Sequence, residues 1–220
     1  FLVADDAADV WSSQAQYRTD ATVGAPPDAF SAEGQEWGLP PYRWEAMKAN
    51  GYALFRARGA HTAKLYDAIR IDHVVGLYRT YLRPRDKTVK HRFDPEGQPA
   101  QLEQGEAVLA ALGASGTELI AEDLGVIPDF VRLSLEKLGI PGHRVLRWEQ
   151  EAGRYREPRT WPELSLATNG THDTETSADW WEALGEWERA AVTALDGMKH
   201  LAKKEDDRWE DAVWAPLIRQ

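Results

Sequence analysis

The chain has 220 residues, 43% hydrophobic and 28% charged, with 36 acidic against 26 basic side chains and a formal net charge of -10. That is enough apolar material for one sizeable core and fits one domain, while an acidic surface repels nucleic acid and anionic membranes, so neither is an expected partner. The lack of any cysteine excludes disulfides, zinc–thiolate sites and thiol catalysis. No apolar run approaches the ~20 residues that span a bilayer. No basic n-region or cleavage site marks a signal peptide, and the expected compartment is cytoplasmic. The chain begins with Phe1 rather than Met and reads as a piece of a longer protein.

In chain order, Phe1 to Ala4 reads as a short strand arriving at Asp5-Asp6, and Asp9 to Gln16 as a short helix or turn. From about Thr19 to Tyr42, the glycines and prolines at Gly24, Pro26, Pro27, Gly34, Gly38, Pro40 and Pro41 forbid a regular element. A loop of that length in a compact domain is usually functional. Arg43 to Tyr66 has a helical pattern broken near Asn50-Gly51, and Ile69-Arg70-Ile71 is a strand. Leu77 to Pro99 is a second irregular excursion. Gln101 to Leu112 is a helix ended by Gly113, Leu119-Ile120-Ala121 a strand, and Pro128 to Leu138 a helix ended by Gly139. Arg144 to Trp148 is a strand and Ser165 to Thr168 a weaker one. Thr176 to Leu184 and Glu188 to His200 are helices, with a charged helix at Lys203 to Val213. The tryptophans of the C-terminal third (Trp161, Trp180, Trp181, Trp187, Trp209 and Trp214) sit at helical spacings and read as helix packing.

Strands alternating with helices imply βα units and a parallel sheet. Neither a dinucleotide fingerprint nor a P-loop is present. In a (β/α)8 barrel the chemistry sits at the C-terminal ends of strands, where Asp6, Asp72, Glu122 and Asp173 all fall. A full barrel takes ~250 residues. About five βα units with two long insertions therefore predict an α/β chain, a central portion of a (β/α)8 TIM barrel over 1–220, with a long active-site loop at about 19–42.

The stretch Arg70-Ile71-Asp72-His73 places a carboxylate between a guanidinium and an imidazole. Nearby cations hold a carboxylate ionised, the state a nucleophile needs. Arg70 and Asp72 share one face of an extended strand. Glu122 follows an apolar strand with no adjacent base, so partial desolvation would favour its protonated form and suit it to general acid work; Asp123 should point the other way. Two carboxyls with these separate duties are what retaining glycoside chemistry requires, and Asp173 is then a candidate stabiliser of a positively charged sugar. Each motif alone also has a structural reading: an ion pair at a strand end, a strand exit before a turn, and a helix N-cap at Asn169 to Thr174.

Five stretches carry a resemblance: Phe1 to Trp11; Gly24-Ala-Pro-Pro-Asp-Ala-Phe-Ser31 with Gly34-Gln-Glu-Trp-Gly38; Arg70-Ile-Asp-His-Val-Val-Gly76; Ala121-Glu-Asp-Leu-Gly-Val126; and Gly170-Thr-His-Asp173. In them the chain resembles glycoside hydrolase family 77, the 4-α-glucanotransferases of the amylomaltase or disproportionating type, in the α-amylase clan. The resemblance implies Asp72 as nucleophile, Glu122 as general acid/base and Asp173 as transition-state stabiliser, with Arg70 orienting the nucleophile. It implies that Asp6, His73 and His172 line the glucose subsite beside the scissile bond. It places Asp28, Phe30, Gln35 and Trp37 in the loop that overhangs the active site and holds the glucan. The implied reaction is transfer from an α-1,4-glucan donor to glucose or a maltooligosaccharide acceptor, without metal or cofactor. The chain departs from the pattern at Glu175, where many relatives carry Asp, and at Ala29, where some carry Tyr. By the same resemblance two barrel strands should precede Phe1, and a last strand and closing helices should follow Gln220. The expectation is that 220 residues alone are inactive or poorly stable. The alternatives are an α-amylase-clan hydrolase and a non-catalytic glucan-binding fragment that stacks sugars on Trp37 and Phe30.

Overall fold

Residues 2–27 and 31–196 are described by the structure, a computed structural model, and the chain divides into two units, Phe1–Ile140 and Pro141–Gln220. Within the first, the described elements run α1 (Ala8–Ser12), β1 (Ala21–Ala25), β2 (Gln35–Glu36), α2 (Trp44–Ala49), α3 (Ala53–Thr62), β3 (Ala68–Ile71), α4 (Val75–Tyr78), β4 (Thr80–Pro84), β5 (Arg92–Asp94), α5 (Gln98–Gly113), β6 (Glu118–Ala121) and α6 (Asp129–Lys137). The expected break between α2 and α3 is present. Gly51 and Tyr52 are left-handed, at φ 65° and 57°, and the Asn50 side chain accepts from the Ala53 amide at the start of α3 at 3.1 Å.

Apolar residues of α5 (Val108, Leu109, Leu112) cluster with Met47, Phe55, Ile71, Val74, Tyr78, Ala121 and Val131 to form the core of this unit. The helix lies close to Tyr78: a Cβ added at Gly105 would stand 2.1 Å from that ring. Strands β3 and β6 pair in parallel, with Ile71 opposite Ala121. Both of these residues are fully buried. The core thus anchors the last residue of each strand, and the next residue of each, Asp72 and Glu122, emerges at the same end of the pair.

Three expectations for this unit are corrected. Leu2 to Ala4 form no strand; Leu2 and Val3 pack against the core, but no described strand offers them a ladder. The segment from Thr19 to Tyr42 is not irregular throughout, and neither is Leu77 to Pro99. They supply the four strands of one antiparallel sheet in the order β2-β1-β4-β5, with Ala21 opposite Pro84 and Gly24 opposite Tyr81. Glycine and proline do not exclude pairing here, since Gly24 lies within β1 and Pro84 within β4, and these two strands are stabilised by each other across some sixty residues that no local window contains.

The second unit holds β7 (Gly142–Val145), β8 (Gln150–Glu151), β9 (Arg154–Tyr155), β10 (Ser165–Thr168), α7 (Ser177–Ala183) and α8 (Glu186–Thr193). Strands β7 and β10 are parallel, with Val145 opposite Thr168. The expected strand at Arg144 to Trp148 is displaced toward the N-terminus because the fully buried Leu146 turns into the core and Trp148 closes a turn onto Val145. The β8–β9 hairpin was not expected; it turns on Ala152 and Gly153, both at positive φ. Trp161 and Trp180 are core residues beside Leu146, Tyr155 and Val192, whereas Trp187 is exposed. Trp209, Trp214 and the expected helix at Lys203 to Val213 lie outside the described residues. Among the described residues no helix is long and apolar enough to cross a membrane.

Candidate active site

The parallel register of β3 and β6 brings two of the expected carboxylates together. Neighbouring strands lie ~4.8 Å apart, and the ladder continues past their ends: the Glu122 amide donates to the Ile71 carbonyl at 2.9 Å and the Val74 amide to the Glu122 carbonyl at 3.1 Å. Arg70 Nη1 donates to Asp72 Oδ1 at 2.7 Å, the same-face pairing expected from their spacing. Asp72 remains exposed, open to a ligand.

Glu122 is half-buried and more tightly held than sequence reasoning anticipated. Its Oε2 accepts the His73 amide at 2.6 Å, and its Oε1 accepts the Leu124 amide at 2.9 Å. Each oxygen keeps a second lone pair for a ligand. Donation by the His73 amide goes with a left-handed backbone at that residue, φ 48°. Such a conformation is costly for a residue with a Cβ and is commonly found at functional sites. Asp123 points away, as expected; it is buried and its Oδ2 lies 3.4 Å from Arg132 Nε.

Just after β2 the chain stays beside β1, where the Trp37 N–H donates to the Val23 carbonyl at 2.9 Å. That tether sets the Trp37 indole edge-on against His73, ring centroids 5.3 Å apart. Trp37 Nε1 donates to Gln35 Oε1 at 2.9 Å. The contact joins the long loop to the end of β3, and with it to Asp72. Burial pushes the His73 imidazole below its usual range, against the opposing pull of Glu122 and Asp72. His73 nevertheless keeps much of its surface in solvent, which limits that desolvation. Asp6 is exposed in a turn. Its neighbour Asp5 pairs with Arg85 at 3.2 Å. No described hydrogen bond or ion pair joins Asp6 to Asp72 or Glu122. Asp28 and Phe30 lie outside the described residues.

In the second unit, His172 and Asp173 follow β10 in an exposed turn, His172 Nε2 standing 3.2 Å from Asp173 Oδ2. Thr171 and Thr174 close this turn, the Thr171 amide donating to Thr174 Oγ1 at 3.0 Å. Thr176, not Asp173 or Thr174, caps the following helix. Sequence reasoning missed Arg147, a buried cation at the root of this turn, because one arginine at a strand end has no motif of its own. The main-chain amides that hold Glu122 were also missed. Among the described residues no group of three or more His, Asp and Glu side chains is arranged to hold a metal ion.

The glycoside hydrolase 77 family model, described as 4-alpha-glucanotransferase, matches residues 1–219. The chain is similar to a 4-alpha-glucanotransferase of Chlamydia pneumoniae, 35% identical over 82% of this chain and 35% of that protein. The chloroplastic/amyloplastic 4-alpha-glucanotransferase of Solanum tuberosum is 31% identical over 91% of this chain and 35% of that protein. The chain thus spans about a third of the length of these curated relatives. Among solved structures, the amylomaltase of Streptococcus agalactiae in complex with acarbose aligns with 99% of this chain and 44% of its own, at TM-score 0.77 and 24% identity. The Corynebacterium glutamicum amylomaltase aligns with 99% of this chain and 31% of its own, at TM-score 0.71 and 25% identity.

Proposed function

Because the chain belongs to glycoside hydrolase family 77, the 4-alpha-glucanotransferases, we propose that it serves disproportionation of α-1,4-glucans by retaining double displacement. The Asp72 carboxylate attacks the anomeric carbon as the glycosidic C–O bond breaks, and the Glu122 carboxyl gives its proton to the departing 4-oxygen. A glycosyl ester on Asp72 results. The 4-hydroxyl of an acceptor glucan then attacks that ester, passing its proton to Glu122 and releasing Asp72. Arg70 orients the nucleophile. Asp173 stabilises the charged sugar, with His172, His73 and Asp6 around the glucose unit. Gln35 and Trp37, together with Asp28 and Phe30, belong to the loop that holds the glucan. No cofactor enters either step. The parallel pairs β3–β6 and β7–β10 are read as portions of a (β/α)8 barrel, and a cytoplasmic location goes with this reading.

One observation supports it above the rest. Asp72 and Glu122 leave matching ends of paired parallel strands, Asp72 held by Arg70 and Glu122 by two amides. Adjacent strand ends suit the ~5–5.5 Å separation of a retaining pair. The test is product analysis with maltotriose. Glucose plus longer oligomers means transfer, and Asp72→Asn should abolish it while leaving glucan binding intact. Shorter products alone would mean hydrolysis. Glucan binding without turnover, insensitive to Asp72→Asn, would mean a binding module.

A further inference from the structure

We propose that Arg147 and Glu175 are positioning residues for this reaction: a buried guanidinium and its carboxylate partner fix the turn that presents His172 and Asp173, and thereby govern the rate of the chemical step more than the strength of glucan binding. The proposal rests on the glucan-transfer reading above.

Arg147 is only 5% exposed. Its Nε donates to the Asn169 carbonyl at 2.7 Å, and its Nη1 donates to Glu175 Oε1 at 2.9 Å and to the Glu175 carbonyl at 3.3 Å. Asn169 and Glu175 flank the segment 170–174, so one rigid fork grips both ends of the turn. The other side of the guanidinium is packed, its Cζ 4.9 Å from the centroid of the Trp180 ring. A Cβ at Gly170 would stand 2.9 Å from Arg147 Nη2 and 2.6 Å from Thr174 Oγ1, so a glycine there lets the fork lie against the backbone. A further side-chain bond, from Asn169 Nδ2 to Ser177 Oγ, ties the same end of the turn to α7.

The turn therefore has a buried root and open tips: the side chain of Asp173 is 79% exposed. Arg147 makes no described contact with His172 or Asp173, so its influence passes through the backbone it holds. Lysine, a point charge without a planar fork, cannot make these three bonds together. The Arg147 pairing also accounts for Glu175: its carboxylate partners a buried cation that would be costly to leave alone.

The test uses the full chain carrying Arg147→Lys, Arg147→Ala, Glu175→Gln or Glu175→Asp, with steady-state kinetics on maltotriose, melting temperature, and NMR of the His172 ring protons without ligand. Small misplacements of a reacting group cost up to ~10²-fold in rate. Arg147→Lys and Glu175→Gln are therefore expected to lower kcat about 10–100-fold with KM within about threefold. Glu175→Asp should recover part of the loss, and millimolar guanidinium, but not sodium, should partly rescue Arg147→Ala. The His172 ring signals should shift in Arg147→Lys and Glu175→Gln at temperatures where both remain folded. Unchanged kcat, a rise in KM alone, or unmoved His172 signals in folded variants would overturn the proposal. Because 220 residues alone are expected to be inactive, an unsubstituted chain without transfer counts against the functional reading only if glucan binding is missing as well, and the His172 signals still report whether Arg147 orders the turn.

Discussion

Glu122→Gln should produce two separable losses. A glutamine has one acceptor oxygen where Glu122 uses two, against the His73 amide at 2.6 Å and the Leu124 amide at 2.9 Å. Its amide nitrogen must face one of these N–H groups, donor to donor. A hydrogen bond to a charged group contributes ~1.5–3 kcal/mol, and at this half-open site water replaces part of it, leaving about 1–2 kcal/mol. A domain of this size shifts by ~2–4 °C per kcal/mol, so a melting temperature lower by about 2–8 °C is expected. The second loss is chemical. Removing a positioned general acid costs ~10²–10⁴ in rate, on the order of 3–5 kcal/mol. That cost applies to a sugar leaving group, which needs the proton; an aryl leaving group departs without it. Rates on maltotriose and on a nitrophenyl maltoside, with a melt of the same preparation, separate the two losses. Equal slowing on both substrates would refute Glu122 as the acid, and an unchanged melt would refute the two-amide tether.

His73 should titrate below the ordinary imidazole value of ~6.5, because crowding at the strand ends disfavours its charged form. Trp37→Ala opens that surroundings and should raise the titration, whereas Glu122→Gln removes an attractive charge and should lower it further. The stability tied to His73 is complete above the unfolded value and is lost as pH falls through it toward the lower folded value; ring-proton NMR that finds His73 titrating above ~6.5 would refute the crowding argument. Gly105→Ala places a methyl 2.1 Å from the buried Tyr78 ring, and overpacking of this kind costs ~1–3 kcal/mol. A thermal melt indistinguishable from that of the parent chain would show that α5 does not sit so close to Tyr78.

What could be read from local pattern was read well. β3 and β6 are short apolar runs followed by an acid, and the break at Asn50-Gly51 announces itself by residue type. Where structure depends on distant partners, the pattern misled. Glycine and proline suggested that 19–42 was formless, and 77–99 also read as irregular, yet β1 and β4 are ordered by each other across that separation. Conversely, Phe1 to Ala4 has strand-like composition and no described partner, so composition alone made no strand. The β8–β9 hairpin carried one local signal, Ala152-Gly153 between polar residues, and its weakness follows from alanine being an unusual choice for a left-handed position.

The candidate site divides along the same line. Asp72 with Arg70 is a two-residue relation within one strand, so spacing alone exposes it. The hold on Glu122 is different, because it needs the His73 amide, which sits forty-nine residues earlier and faces Glu122 through a left-handed turn. No property of the residues around Glu122 encodes that partner. Arg147 is further from legibility still: it touches no reacting group, and it reveals itself only when Asn169 and Glu175 are seen to converge on one guanidinium. Motifs therefore pick out the candidate reacting carboxylates, whereas the groups that hold or are proposed to aim them are backbone amides and a buried cation whose chemistry is ordinary until the fold brings their partners in. A variant survey guided by motif alone would test Asp72, Glu122 and Asp173 and pass over Arg147, although the geometry around it makes the strongest case in the second unit for control of the Asp173 turn.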